Sequence, residues 1–328
     1  MPSSVTHSYF CSDVYKNLTD NIKDRIKGSI NYFKVFGQGP DPYFFYDFHL
    51  TKRSKKIHQI NKSMQHTNIN NHFIKLINYI NDNNYYSNEQ VVSYLYGQIC
   101  HFALDSTAHP YIIYSTGRYI EKDASTYKYN GLHEEMEYFI DCYFIFQREG
   151  ISPRKFKVYK ELFNINEFNN ELNNTIDNVI KDVYGYDNVS KIYYKSIMDM
   201  KKFYYIFNYD RLGIKKIIYS IMDLICGNRC VKKKELSFFV DPQSKLYFLN
   251  DKKNIWNHPC NINETYNLSF NELYIKACDR AVSIINVVDE MLTNKKIDNK
   301  KLEKLFGNIH YGTGKNCNVN LKYLYFKF

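Results

Sequence analysis

Gly97, His101, Asp105 and His109 stand four residues apart from one another in the run SYLYGQICHFALDSTAHPY. On an α-helix, residues i and i+4 share a face. The spacing therefore predicts a helix from which two imidazoles and a carboxylate project together. Gly97, one turn earlier, leaves space beside them, and Ile99 and Leu104 fill the buried flanks. The run GLHEEMEYFIDCYF repeats the pattern with His133 and Glu137, and Asp141 continues that face. Helix breakers are scarce around both runs, with 13 Gly and 7 Pro in 328 residues. That scarcity favours helices over a turn-rich β sandwich. No alternation of strand and helix patterns is visible, which excludes a doubly wound α/β fold. The expected class is all-α.

The remaining organisation follows from periodicity and punctuation. A first helix starts near Ser3 or Ser4, and a second helical stretch runs to about residue 35. FGQGPDP, residues 36–42, forms a turn because of its glycines and prolines. Residues 57–80 read as one helix, with Phe73, Leu76, Ile77 and Ile80 on a single face. Ser87 and Gln90 form a capping box for a helix that ends at His109, before Pro110. Further helices are expected over about 131–147, 155–183, 191–226 and 270–294, the last opened by a Ser269/Glu272 capping box. Residues 228–267 read as irregular, with Leu236–Val240 as a short strand. Residues 1–150 carry the candidate site. Residues 151–328 read as a helical part packed on it within one continuous domain.

The charge balance, 44 Lys and Arg against 34 Asp and Glu, is +10. It suits anionic partners such as phospholipid headgroups, with nucleic acid the weaker fit. Scattered lysines are also what solubility alone would produce. No apolar run reaches membrane-spanning length. The start, MPSSVTHSYF, has neither the charged nor the apolar region of a secretory leader, so the expected location is cytoplasmic, with peripheral membrane association open, unless this is a mature form without its leader. The 8 Cys are dispersed, as expected of reduced thiols. Cys226 and Cys230 lie four apart, but no second pair follows to complete a zinc site.

Other candidate ligands are Asp41 in the glycine- and proline-bearing turn, His58, His66 and His72 in HQINKSMQHTNINNHF, and His7. A lone histidine is most often a hydrogen-bonded core residue. Two helical pairs with a third histidine at the same spacing is a much rarer coincidence and points to metal. Nitrogen and oxygen donors without clustered cysteines suit Zn²⁺ at a catalytic site.

The order His7, Asp41, His66, His101-x₃-Asp105-x₃-His109, His133-x₃-Glu137 resembles the bacterial zinc-dependent phospholipase C family, which is related to fungal single-strand-specific zinc nucleases. GPDPYFF and CHFALDSTAHPYIIY are its most specific strings, and the resemblance covers about residues 2–141. It implies a compact multi-helix fold with a mostly helical C-terminal extension, and up to three Zn²⁺. Asp41, His66, His101 and Asp105 would hold the first. Asp105 would bridge to a second, shared with His7 and the terminal amine, which removal of Met1 leaves on Pro2. His109, His133 and Glu137 would hold the third. The secreted members begin with Trp, and this chain does not. The step from Asp105 to His109 is also shorter here, and His58 competes with His66 as the ligand from its segment.

The implied activity is hydrolysis of a phospholipid headgroup diester by a metal-activated water, with Asp41 doubling as the base that orients it. Tyr43, Phe44 and Phe45 would either line a wall for the headgroup or pack in the core. Two other readings stand beside this one. One is a nuclease or other small phosphodiester hydrolase, and the other is a zinc- or lipid-binding protein without catalysis.

Overall fold

The computed structural model describes residues 4–227 and 231–327. Among them the chain is all-α, with a single two-stranded antiparallel pair. The first half runs through α1 (Ser4–Asn17), α2 (Asp20–Ile26), α3 (Ile30–Phe36), α4 (Lys52–His66), α5 (Ile69–Asp82), α6 (Glu89–Thr116) and α7 (Leu132–Glu149). The second half runs through α8 (Val158–Glu161), α9 (Asn170–Tyr184), α10 (Val189–Phe203), α11 (Ile214–Cys226), the strands β1 (Trp256–His258) and β2 (Asn261–Tyr266), α12 (Phe270–Thr293) and α13 (Asn299–Phe306).

The 28-residue α6 is the axis of the molecule. Its side chains are apolar on nearly every side, with Val91, Leu95, Ile99 and Phe102 fully buried, as expected of a helix enclosed by others. α12 packs along it, and α1, α3 and α7 surround the rest. Tyr96 Oη crosses to Asp289 Oδ1 on α12 at 2.7 Å. From the second half, α10 packs on the 3₁₀ segment Asp41–His49, α9 on α5, and α13 on α5. Phe306 stacks on Phe73 at 4.1 Å.

Several boundaries differ from the sequence reading. The cap of α6 is Asn88, whose side chain accepts from the N–H groups of Gln90 and Val91, in place of a Ser87/Gln90 box. Pro110 does not stop the helix, which continues to Thr116. Tyr111 and Ile112 are buried beyond it, and Tyr111 Oη donates to the Phe248 carbonyl at 2.8 Å. This packing outweighs the one backbone hydrogen bond a proline removes. Residues 57–80 fall in two helices, because Asn68 adopts a left-handed conformation (φ 54°) between them, which asparagine tolerates. The stretch 155–183 is helical only over α8 and α9. The stretch 191–226 breaks after a π turn at Tyr204–Asn208. Leu236–Val240 is not a strand. The strands are β1 and β2, paired Trp256 to Tyr266 and His258 to Asn261. The Ser269/Glu272 capping box forms as expected. Ser3, Pro2 and Cys230 lie outside the described residues.

Candidate metal centre

His101, Asp105 and His109 project from one face of α6, with His101 against the turn after α3. That turn approaches very closely. A Cβ on Gly97 would lie 2.6 Å from the Phe36 Cβ and 2.7 Å from its carbonyl carbon. The space beside Gly97 is thus filled by the backbone of the facing segment. Gly39 closes the approach from the other side. Its φ is +54°, and a Cβ there would meet the His101 ring at 2.3 Å. Both features press residues 36–41 onto the helix and fix the His101 ring. The Nδ1–H of His101 donates to the Gly37 carbonyl (3.1 Å), which leaves the Nε2 lone pair facing inward. Metal-binding histidines are oriented by this kind of bond.

Two groups of three donors converge there, each with its donor atoms within 4.8 Å of one another. The first is His7, His101 and Asp105. His7 Nε2 lies 3.2 Å from Asp105 Oδ1, and His101 Nε2 lies 3.2 Å from Asp105 Oδ2. The His7 and His101 rings stack at 4.6 Å. The second is His109, His133 and Glu137. Glu137 Oε1 is 3.4 Å from His109 Nε2 and 3.1 Å from His133 Nε2. Donors held at zinc bond lengths on a tetrahedron stand about 3.3 Å from each other. His109 joins the groups, because its Nδ1 also lies 3.4 Å from Asp105 Oδ2.

The donor set fits a cation on a second ground. His101 Nε2, Asp105 Oδ2, His109 Nδ1 and Asp41 Oδ2 are buried with no hydrogen-bond partner among the described residues. Such orphaned polar atoms are costly unless something satisfies them. The electrostatics agree. Burial opposes the charge of Asp105, yet the imidazoles of His109 and His101 hold its carboxyl well below the usual range. Burial pushes Glu137 up, and His133 outweighs it, so that carboxyl also sits low. Burial lowers His101, but Asp105 and Asp41 raise it to about 9. The carboxylates thus draw positive charge into a dry site, and a divalent cation supplies it more compactly than protons do.

His7 is placed by Asp141, whose carboxylate accepts from the N–H groups of Val5 (3.2 Å) and Thr6 (2.7 Å) and from the Thr6 hydroxyl (2.8 Å). Asp141 therefore serves as the anchor of the first turn of α1. Neither group includes Asp41 or His66. Asp41 is buried, with Oδ1 accepting from Gln65 Nε2 at 2.6 Å, and burial pushes its carboxyl up to about 6. His66 ends α4 and packs on His310, ring to ring at 4.4 Å. His66, His310, Gln65 and Arg118 line a cavity of about 610 Å³ together with His109 and His133.

The other expected site residues lie elsewhere. Tyr43 and Phe45 are buried in the core, against Tyr193 and Phe203 at 4.9 Å each. Phe44 packs on His58 at 4.6 Å. None of the three lines this cavity, because the 3₁₀ segment turns their rings toward α10 and α4. His72 is enclosed beside Phe73 and Tyr184, away from both groups. Pro2 lies outside the described residues.

The sequence reading missed His310 and Arg118. His310 Nδ1 accepts from the N–H groups of Gly312 (2.9 Å) and Thr313 (3.2 Å). Burial lowers its pKa to about 4, so the ring is neutral with Nε2 left free of this turn. The guanidinium of Arg118 sits over the Tyr323 ring at 5.3 Å. The only local signal for His310 is its glycine-bearing turn, HYGTG.

A family model described as zinc dependent phospholipase C matches residues 6–188. No curated protein and no solved structure matches the chain.

Proposed function

The chain belongs to the zinc-dependent phospholipase C family, and from that premise we propose that it is an enzyme, a phosphodiester hydrolase that cleaves the headgroup diester of a phospholipid. The observation that carries the reading is the pair of three-donor groups at tetrahedral spacing, joined through His109 and Asp105, with His109 and His133 of the second group lining a cavity. In this reading His109, His133 and Glu137 would hold one zinc. His7, His101 and Asp105 would hold the rest. Asp41 stands behind them, and the amine of Pro2 is a further candidate. Zinc in such a site supplies Lewis acidity, which lowers the pKa of a water and polarises a phosphoryl oxygen.

The chain's own side chains do the rest. The Gly37 carbonyl holds the His101 ring in the tautomer with the proton on Nδ1. Asp41 Oδ2 takes up the proton that the attacking water gives off, while Gln65 keeps the other oxygen in place. Arg118 offers a cation to the anionic diester, and the neutral rings of His66 and His310 offer N–H donors to its oxygens. Burial around Asp105 and His101 keeps bulk water out, so these charges act in a medium of low dielectric.

The test is to load the protein with zinc and assay a choline phospholipid and single-stranded RNA side by side. Release of the phosphorylated headgroup, abolished in Asp105→Asn, is the expected result. Cleavage of RNA alone would move the activity to nucleic acid. Turnover of neither substrate would leave a zinc-binding protein without this chemistry.

A further inference from the structure

The helix α11 is amphipathic and faces the wrong way for a core element. Its polar side is tied to the protein. The Lys216 N–H donates to Asp210 Oδ2 at 2.8 Å, and Tyr219 Oη donates to the Phe207 carbonyl at 3.2 Å. The Asp223 carboxylate accepts from the N–H groups of Lys233 and Lys234, at 2.8 Å each. The apolar side, Ile214, Ile217, Ile218, Ile221 and Ile225, follows helical spacing and points outward. Tyr219 is its one buried residue. Ile217 is 63% exposed, Leu224 84% and Ile225 80%. An apolar stripe of this length on a helix ordinarily faces a core, and an exposed patch of this kind marks an interaction surface.

We propose that α11 is the face through which this protein docks on an anionic phospholipid surface. Three features of the structure single out that occupant. First, the helix carries its own basic rim. Lys232 and Lys234 are exposed and follow the helix closely, because Asp223 holds this run against it. A basic edge beside an apolar helix face suits the boundary between anionic headgroups and acyl chains. Second, a second copy is a poorer partner, because a two-fold pairing would bring the same lysines to the same rim. Third, the helix adjoins the metal cavity. Leu224 and Lys232 share a hollow with Gly131, and Gly131 and Val231 line the cavity that holds His109 and His133. Docking through α11 therefore brings the cavity mouth next to the lipid. The inference rests on the reading of the substrate as a phospholipid.

The test is flotation of the full chain with phosphatidylcholine vesicles, with and without phosphatidylserine, for the wild type and for Ile217→Glu/Ile221→Glu/Ile225→Glu. The wild type is expected to bind the phosphatidylserine vesicles more tightly. The variant should lose on the order of 100-fold in binding. Its circular dichroism and its rate on a soluble short-chain diester should be unchanged, because the altered residues touch neither core nor site. Equal binding by both proteins, or binding by neither, overturns the proposal. So does a wild-type dimer that the variant converts to monomer, since the face would then belong to a second copy. Vesicle binding without any diester hydrolysis leaves the docking face standing and removes the proposed reaction. Hydrolysis of the soluble diester without vesicle binding does the reverse.

Discussion

At Asp105 one carboxylate faces three imidazoles, with Oδ1 toward His7 and Oδ2 toward His101 and His109. An amide keeps the shape but loses the charge and one acceptor. Asp105→Asn is therefore expected to lose two zinc ions together, as read by elemental analysis of the purified protein; full zinc content in the variant would remove the shared role. His72 makes a contrasting case. Both ring nitrogens are buried without a hydrogen-bond partner among the described residues, and burial lowers the pKa to about 4. Above pH 6.5 the ring is neutral whether the chain is folded or not. Below that, the unfolded chain takes up a proton that the folded chain refuses until about pH 4. Stability is therefore lost as pH falls through this window, by about 3 kcal/mol at its lower end. His72→Leu should flatten the acid limb of a denaturation profile between pH 6.5 and 4; an unchanged limb would show that the ring is not held neutral. These residues also show what the sequence could tell. His101, Asp105 and His109 were legible because a helix turns spacing into a shared face. His310 was not, because a loop far along the chain delivers it and no periodicity announces it.

The helices α6 and α7 present most of the donors, but α1 has to be brought to them, and Asp141 makes that attachment. Asp141→Ala removes three hydrogen bonds to one carboxylate at a buried helix start. The expected cost is about 3 kcal/mol in chemical denaturation, with partial loss of zinc as His7 drifts from Asp105. Thr6→Val, which removes only the hydroxyl, should cost about 1 kcal/mol. A wild-type zinc content in Asp141→Ala would mean that the apolar face of α1 and the bonds from Gln38 and Tyr204 to Ser4 hold it without Asp141. Element by element, the sequence was readable where local chemistry decides, as at the Ser269/Glu272 box. It misled where packing overrules local preference. Pro110 should end α6, but buried Tyr111 and Ile112 hold the last turns in place. Tyr43 and Phe45 beside Asp41 read either as a wall for substrate or as core, and packing places them in the core.

Across the whole molecule, the two donor groups draw on α1, α6 and α7, so cations bound there tie together distant parts of the chain. A ligand at about 1,000 times its Kd adds about 4 kcal/mol to the folded state. Chelation is therefore expected to lower Tm by about 5–10 °C per site in calorimetry, and zinc should restore it; a Tm indifferent to chelator would show that no cation stabilises the fold. The family match ends at residue 188, yet the centre draws on residues well past it. The Tyr311 ring packs against His101 at 5.5 Å, and the Tyr311 backbone N–H donates to the Gln65 carbonyl at 3.2 Å. This has a consequence for the protein as it is made. Every described donor of the two groups is synthesised by Glu137, but Tyr311 follows roughly 170 residues later, about 10–35 s at ordinary translation rates. For that interval the nascent chain carries its histidines and carboxylates without the ring that packs on His101, open to whatever metal the ribosome's surroundings offer.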